Sequence, residues 1–113
     1  MMRLTGSEAE DRAVELLKDR GYRIVARNWR CRFGEIDIVA RDGPTLVFVE
    51  VKARSGDGFG GADGAVDKKK QGRLATAAGQ FLQETGCELP ARFDVVAFSG
   101  DRPTLLCDAF SVG

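Results

Sequence analysis

The chain has 113 residues, of which 43% are hydrophobic and 30% are charged, and its 17 basic and 17 acidic residues give a net charge of zero. This length and composition predict one small soluble domain with no room for a second. The absence of histidine excludes His-dependent triads, HNH-type nucleases and histidine metal sites. No apolar run approaches membrane-spanning length and the N-terminus lacks the apolar centre of a signal peptide, so we expect a cytoplasmic location.

The first predicted element is a helix over roughly residues 6–20, followed by a strand at about residues 22–26. Ala9, Ala13, Leu16 and Leu17 recur at helical spacing, and Gly21 is a natural C-terminal stop. Glu10 lies inside this helix and has two interpretations. Residues 5–8 and residues 7–10 both fit a capping box, so this acid either caps the helix or belongs to a functional site.

Basic and aromatic residues alternate between Arg20 and Phe33, a stretch that contains five arginines and no acid. Such a pattern suits a surface that neutralises phosphates and stacks on bases. The alternative is that Tyr22 and Trp29 belong to the core and that the arginines form a solvated face. The residues expected to contact nucleic acid are Arg27, Asn28, Arg30 and Arg32.

Two strand-like runs, at residues 34–40 and 46–52, carry charged side chains among Val, Ile, Leu and Phe. An Asp-Gly pair at positions 42–43 is a strong hairpin signal between them. Alternation places Glu35 and Asp37 on one face of the first strand, opposite the isoleucines at 36 and 38. On the second strand Phe48, Glu50 and Lys52 share a face. With the turn at 42–43, Glu35 faces Glu50, and Asp37 faces Phe48 and lies diagonally next to Glu50.

Acids on neighbouring strands are suited to binding a hard divalent cation. Asp37 and Glu50 are therefore candidate ligands of Mg²⁺, for which Mn²⁺ could substitute, in a site that cleaves phosphodiesters. Lys52 would orient the attacking water or stabilise the transition state. The alternative is a charged edge strand, or a partly buried ion pair between Lys52 and one of the acids.

The second half of the chain predicts a glycine-rich loop at residues 53–64, a helix at about 65–85 ended by Gly86, and two strands. These strands, at 92–98 and 104–110, flank a turn at 99–101, and the whole order is αβββαββ. A basic cluster begins the helix, and its members either contact phosphates or form a solvated face. The candidates are Lys68, Lys69, Lys70 and Gln71.

Three cysteines, Cys31, Cys87 and Cys107, are scattered along the chain and form no C-x-x-C pair. An odd number at this spacing implies neither a zinc site nor a disulfide framework. We expect buried or partly buried free thiols, as in a reducing compartment.

Asp37 followed by Glu50-Val51-Lys52 after a short hairpin resembles the PD-(D/E)XK nuclease signature. This signature occurs in restriction enzymes, RecB-type nuclease domains and archaeal Holliday-junction resolvases. The wider pattern is similar to the YraN-like family of predicted endonucleases. Its members here are Gly6, Glu10, Ala13, Gly21-Tyr22, Arg27-Asn28, Gly34 to Asp37, Phe48 to Lys52, Phe59-Gly60, Lys70 and Arg92 to Val96.

The resemblance implies an α/β fold with a restriction-endonuclease-like core, in which helices flank a mixed central sheet. It implies a Mg²⁺-dependent DNA endonuclease, with Asp37, Glu50 and Glu10 at the metal and Lys52 assisting catalysis. It leaves the substrate open, with branched or damaged DNA among the candidates. Asp94 matches the family pattern within a strand, and we expect a structural role for it. DNA is favoured over RNA as the partner, and a homodimer would let so small an enzyme cut both strands. The alternatives are a non-catalytic nucleic-acid-binding module and an interaction subunit whose acids are structural.

Overall fold

The computed structural model describes residues 4–54 and 66–111. The order of elements is αβββαββ, as the sequence predicts, and most of the predicted glycine-rich loop lies outside the described residues. The first strand continues to residue 31 and so includes most of the arginine-rich stretch. The elements are α1 (Gly6–Asp19), β1 (Arg23–Cys31), β2 (Gly34–Asp42), β3 (Thr45–Arg54), α2 (Lys68–Thr85), β4 (Ala91–Ser99) and β5 (Arg102–Phe110).

The five strands form one mixed sheet in the order β1-β2-β3-β4-β5. Strands β3 and β4 are parallel, and the other neighbouring pairs are antiparallel. A parallel pair needs a crossover connection, and α2 lies within the one between β3 and β4. One helix packs on each face of the sheet: Leu17 of α1 joins a core cluster with Val47 and Val49, and Phe81 of α2 joins another with Phe48. The α/β class predicted from the sequence is confirmed.

A capping box starts α1 at Thr5. The Thr5 hydroxyl accepts a hydrogen bond from the Glu8 backbone N–H at 3.1 Å, and the Glu8 carboxylate accepts one from the Thr5 backbone N–H at 2.8 Å. Each acceptor satisfies a backbone donor that the first helical turn leaves free. Of the two capping boxes that fit the sequence, residues 5–8 form this one, so Glu10 is not the capping acid.

Both ends of α2 are capped. The Asp67 carboxylate accepts a hydrogen bond from the Lys70 backbone N–H at 2.8 Å, and Gly86 ends the helix at φ 69°. A left-handed residue after the last helical turn is a role for which glycine is favoured. Between the caps, the Phe81 ring makes edge contacts with Trp29 and Phe48 at centroid distances of 5.3 and 5.8 Å. Trp29 is half-buried and packs against the core cluster on the α2 side, in agreement with the alternative that assigns it to the core.

The hairpin between β2 and β3 turns one residue later than the sequence predicts. Asp42 pairs with Thr45 and Val39 pairs with Phe48, so the turn is Gly43-Pro44. Proline has no N–H to give to a strand ladder and is better placed in a turn, and Gly43 supplies a positive φ of 60°. The predicted pairing of Asp37 with Phe48 is wrong by two residues. Continued by one residue, the observed register brings Asp37 opposite Glu50.

Side-chain alternation along β2 is interrupted at Asp37. Ile36 packs in the cluster on the α2 side, whereas Ile38 packs in the cluster on the α1 side. The prediction that these isoleucines share a face is therefore wrong. On β1, Asn28 lies opposite this break, between Arg27, which pairs with Ile38, and Trp29, which pairs with Ile36. Its φ is 52°, a conformation that asparagine tolerates better than most residues.

The sheet ends at β1 and β5, and both outer strands are irregular. Each contains a non-glycine residue with positive φ, Asn28 in β1 and Asp108 in β5. The register also shifts along each outer pairing, between Ile24 and Ala26 in β1 and between Phe93 and Val95 opposite β5. Such irregularities bend a strand and interrupt its ladder.

Asp94 is fully buried and is held by donors from its own strand and from two other parts of the fold. Its carboxylate accepts from the Tyr22 hydroxyl at 2.7 Å, from the Arg92 Nε at 2.9 Å and from the Asp108 backbone N–H at 2.8 Å. Burial raises the pKa of Tyr22, as do its hydrogen bonds to Cys107 and Asp94. A buried charge that is fully hydrogen-bonded is a structural element. The structural role expected of Asp94 agrees with these contacts.

All three cysteines are free thiols, as predicted. Cys31 and Cys87 are half-buried. Cys107 is exposed, which differs from the burial expected from its residue type, although its sulfur lies 3.5 Å from the Tyr22 hydroxyl.

Candidate functional site

Asp37 of β2 and Glu50 of β3 lie side by side where the two strands begin to separate. The regular pairing between these strands stops at Ile38 and Val49. Beyond it, the Asp37 carboxylate accepts a hydrogen bond from the Val51 backbone N–H at 2.8 Å. A side chain thus takes the place of a strand carbonyl, which holds this carboxylate in the space between the two strands.

The Glu50 side chain is only 7% exposed and forms an ion pair with Lys70 of α2. The Lys70 Nζ lies 2.6 Å from the Glu50 Oε2, and this hydrogen bond raises the pKa of Lys70. Twenty residues of sequence separate these two partners, so no local pattern predicts their contact. The pair explains how a buried carboxylate is tolerated in a strand that is otherwise apolar.

Burial raises the pKa of Asp37 to about 7, and the neighbouring Glu50 contributes to this rise through its charge and a hydrogen bond between the carboxyls. The hydrogen bond from Val51 opposes this change. Two carboxyl groups with little access to water cannot easily both be ionised. The pair therefore favours any positive charge placed between its oxygens.

Glu10 projects from α1 toward β1, and its side chain is 12% exposed. Its Oε1 accepts hydrogen bonds from the Arg27 Nη2 and the Asn28 Nδ2, both at 2.9 Å. Arg27 also pairs with Asp11 at 2.7 Å, and these hydrogen bonds raise the pKa of Arg27. Two of the residues expected to contact nucleic acid, Arg27 and Asn28, are thus oriented by the acid expected to assist the metal.

Two cavities lie beside the acid pair, and Val51 lines both. The first, which we call the acid cavity, has a volume of about 450 Å³. The second, the lysine cavity, has a volume of about 250 Å³ and is lined by Glu50, Lys52, Asp67 and Lys70. The polar residues that line the acid cavity include Glu10, Arg27, Asn28, Arg30, Glu35 and Asp37.

The donor set at the acid pair fits a magnesium ion held through two carboxylates. Mg²⁺ binds oxygen, keeps several waters and is commonly held in proteins by one or two carboxylates. Within residues 4–54 and 66–111, no three acidic or cysteine side chains are grouped closely enough to hold a metal. Glu10 lines the same cavity as Asp37, but its carboxylate is bonded to Arg27 and Asn28 and does not complete a set of three.

The remaining residues expected to contact nucleic acid are partly engaged within the protein. Arg30 pairs with Glu35, and the Arg32 guanidinium lies 5.4 Å from the centre of the Phe33 ring. Gln71 donates a hydrogen bond to the Val66 carbonyl at 2.7 Å. Lys68 and Lys69 are exposed in the first turn of α2, where no acidic residue is present. Cations are disfavoured at a helix N-terminus, and the Asp67 carboxylate at the N-cap places a negative charge beside these lysines.

The fold and the acid pair define a mixed α/β protein with a polar site between its second and third strands. The profile of the uncharacterised protein family UPF0102 matches residues 9–98, and the chain belongs to this family. A UPF0102 protein of Pseudomonas entomophila is 53% identical over 97 residues, which cover 84% of this chain and 79% of that protein. A UPF0102 protein of Ralstonia nicotianae is 52% identical over 113 residues, covering 96% and 87% of the two chains. Neither helix in the described part of the chain is both long and apolar enough to span a membrane.

Proposed function

We propose that this protein is a metal-dependent endonuclease of the restriction-endonuclease-like, PD-(D/E)XK class that hydrolyses phosphodiester bonds in DNA. The observation that carries the proposal is the placement of Asp37 and Glu50 side by side on neighbouring strands. Lys52 follows Glu50 by two residues and lines the cavity on that side. Arginine side chains line the cavity on the other side, so an anionic backbone has cations near both ends of the pair.

In this proposal Asp37 and Glu50 would hold Mg²⁺ or Mn²⁺. When bound, the ion lowers the pKa of water and offsets the negative charge that develops on the phosphate. Lys52 binds a phosphate oxygen or holds the attacking water, because its ammonium group extends from the same strand as Glu50. Lys70 orients Glu50 through their ion pair. Glu10 holds Arg27 and Asn28 at the wall of the acid cavity, where they bind the adjacent phosphate.

A non-catalytic nucleic-acid-binding module is the rival function, and the contact between Lys70 and Glu50 favours it. An ion pair at 2.6 Å already neutralises one of the two acids. In this rival, the carboxylates serve only to position the lysines of α2 for phosphate contacts.

Cleavage of linear, flapped and four-way-junction DNA separates the two functions. The assay uses Mg²⁺ and Mn²⁺, with EDTA as the blank, and compares the native protein with Asp37→Asn and Lys52→Ala. We expect Asp37→Asn to remove cleavage, and Lys52→Ala to slow it by about a hundred- to a thousand-fold while DNA binding is retained. Glu88→Gln, which removes an exposed acid outside the site, is the matched control.

Binding of DNA without cleavage by the native protein would favour the rival module. Cleavage that survives EDTA, or that Asp37→Asn and Lys52→Ala leave unchanged, would contradict the proposed site. Calorimetric titration with Mn²⁺ gives a readout that does not depend on activity. Asp37→Ala should abolish metal binding and Glu88→Gln should preserve it.

A further inference from the structure

The turn between β1 and β2 presents an aromatic side chain to solvent. Arg32 and Phe33 form this turn between the paired residues Cys31 and Gly34. Phe33 is 41% exposed, and in the described ranges only Val25 is a comparably exposed large hydrophobic residue. The Arg32 guanidinium lies 5.4 Å from the centre of the Phe33 ring. An exposed ring accompanied by a guanidinium suits stacking on another planar group.

Phe33 lines a cavity of about 420 Å³ that we call the turn cavity. Arg30 and Arg32 line it from β1 and the turn, whereas Gln80 and Glu84 line it from α2. Gln80 donates a hydrogen bond from its Nε2 to the Glu84 Oε2 at 2.7 Å. The wall therefore combines one aromatic ring with hydrogen-bonding groups of both kinds, including a carboxylate.

The carboxylate of Glu84 determines which part of a nucleic acid this cavity suits. Arg30 and Arg32 can pair with a phosphate, but the Glu84 carboxylate needs a donor. An exocyclic amino group can donate a hydrogen bond to it, as cytosine N4 does to acidic side chains. A planar ring suits the space beside Phe33 because every base has a π-face that can stack on an aromatic side chain. We propose that the turn cavity binds an unpaired nucleobase with an exocyclic amino group, stacked on Phe33.

The turn cavity is connected to the proposed cleavage site through a shared residue. Arg30 lines both the turn cavity and the acid cavity. Phe33 precedes Asp37 by four residues, which corresponds to about 13 Å along an extended strand. A base in the turn cavity would then belong to a nucleotide a few positions from the phosphate at Asp37. The inference rests on the proposed function for its ligand, and it narrows the substrate to DNA with unpaired bases.

Oligo-dC and oligo-dT of equal length test the inference, because both are pyrimidines and only cytosine carries an exocyclic amino group. Binding is measured by fluorescence anisotropy in EDTA, with a blunt duplex as the third ligand. Phe33→Ala should weaken oligo-dC binding by about 5- to 150-fold, the usual effect of removing a stacking aromatic. Phe33→Trp should retain binding, and Val25→Ala is the control for loss of an exposed apolar side chain from β1.

Glu84→Gln tests the hydrogen bond separately from stacking. It should reduce the preference for oligo-dC over oligo-dT while leaving the effect of Phe33→Ala in place. Binding of the blunt duplex should be the same for the native protein and Phe33→Ala. Circular dichroism should show unchanged folding for all these variants, since Phe33 and Glu84 are exposed.

Equal binding of oligo-dC by the native protein and Phe33→Ala would overturn the inference, as would the absence of any DNA binding. An equal loss on the blunt duplex would also overturn it, because a paired base cannot enter the cavity. A different result would contradict only the proposed nuclease activity: binding of oligo-dC would depend on Phe33, but no DNA substrate would be cleaved. Cleavage that requires Asp37 but is unchanged by Phe33→Ala on every substrate would reject only the inference.

Discussion

Asp37 gives the site its strongest dependence on pH. Its pKa rises from the ordinary 3.8 to about 7 because the group is buried, with Glu50 and then Glu35 adding to the effect. Lys70, which contacts Glu50, places a positive charge near the acid pair. No histidine in the sequence titrates in the same range. The proton on Asp37 should therefore dominate the behaviour of the site near neutrality.

We expect the metal-free protein to lose stability as pH rises from about 4 to about 7. In this range the folded chain retains a proton on Asp37 that the unfolded chain has released, so the free energy of unfolding falls with pH. Asp37→Asn cannot ionise and should lack this decline. Urea unfolding of both proteins in EDTA, from pH 4 to pH 8, measures the difference.

Added Mg²⁺ provides the control for this prediction. Bound metal stabilises the folded state by mass action, so it should raise the stability of the native protein at pH 8 and leave Asp37→Asn unchanged. Parallel pH profiles for the native protein and Asp37→Asn would show that the Asp37 carboxyl is ionised throughout the range.

Tyr22 links three parts of the buried network around Asp94. Its hydroxyl donates to the Asp94 carboxylate and accepts from the Arg92 Nη2, both at 2.7 Å. Tyr22→Phe leaves the buried carboxylate with one donor fewer, so we expect a loss of about 1–3 kcal/mol in the free energy of unfolding. Urea unfolding at pH 7 measures the loss.

A matched control for Tyr22→Phe is Phe33→Leu, which alters an exposed ring outside the network. It should change stability by less than about 0.5 kcal/mol. Equal stabilities for Tyr22→Phe and the native protein would mean that Asp94 finds another donor.

The sequence was sufficient to select Asp37 and Glu50 because both interrupt short apolar strands, where a charge is conspicuous. It could not indicate Lys70 as the partner of Glu50, since nothing periodic connects a strand residue to a helix twenty residues later. Glu10 was ambiguous for a local reason: two overlapping capping boxes fit the same residues. Only the contacts of Glu8 and Glu10 distinguish them.

Helices and strands were predicted more accurately than the register between them. The helices have clear stripes and caps, and the predicted bounds differ from the observed ones by a few residues. The hairpin turn was misplaced because an Asp-Gly pair is a strong local signal, and it outweighed the adjacent Pro44. The break in alternation at Asp37 depends on contacts with both helices, which a pattern along one strand does not contain.

The start of α2 positions Lys70, and Asp67 holds this start in place. Asp67→Ala removes the acceptor for the Lys70 backbone N–H, which should lower the free energy of unfolding by about 1 kcal/mol. Because Lys70 also contacts Glu50, the same change should weaken the ion pair in the site. Urea unfolding measures the first effect, and Mn²⁺ titration measures how the second alters metal binding.

Asp67→Ser is the control, because serine is also an effective N-cap. It should keep most of the stability that Asp67→Ala loses. Equal losses from both variants would indicate that the charge of Asp67, and not its capping hydrogen bond, stabilises this end of α2.

Over the whole molecule, the charges of 17 basic and 17 acidic residues cancel. Any attraction for nucleic acid must therefore come from local clusters, and several arginines are already paired with acids. Lys68 and Lys69 are exposed basic residues at the end of α2 nearest the site. They should account for a measurable share of the salt dependence of DNA binding.

We expect binding of single-stranded DNA to weaken steeply with salt. Each phosphate that a lysine no longer neutralises lowers the slope of log K against log salt by roughly 0.7 for a single strand. The double variant Lys68→Ala/Lys69→Ala should therefore have a slope smaller by about 1.4. Anisotropy titrations between low and moderate salt give both slopes. Lys18→Ala, in the last turn of α1, is the control, and equal slopes for all three proteins would exclude these lysines from the DNA surface.

The irregular outer strands have a consequence for how copies of this protein can associate. A straight outer strand offers a row of unpaired N–H and C=O groups on which another sheet can continue. Here Asn28 and Asp108, whose φ angles are positive, interrupt that row in both outer strands, so edge-to-edge pairing of two sheets is disfavoured. If two copies of this protein associate to cut both strands of DNA, they must do so through helices or loops. Their contacts would then be made by side chains, and a few surface substitutions should be enough to separate the copies.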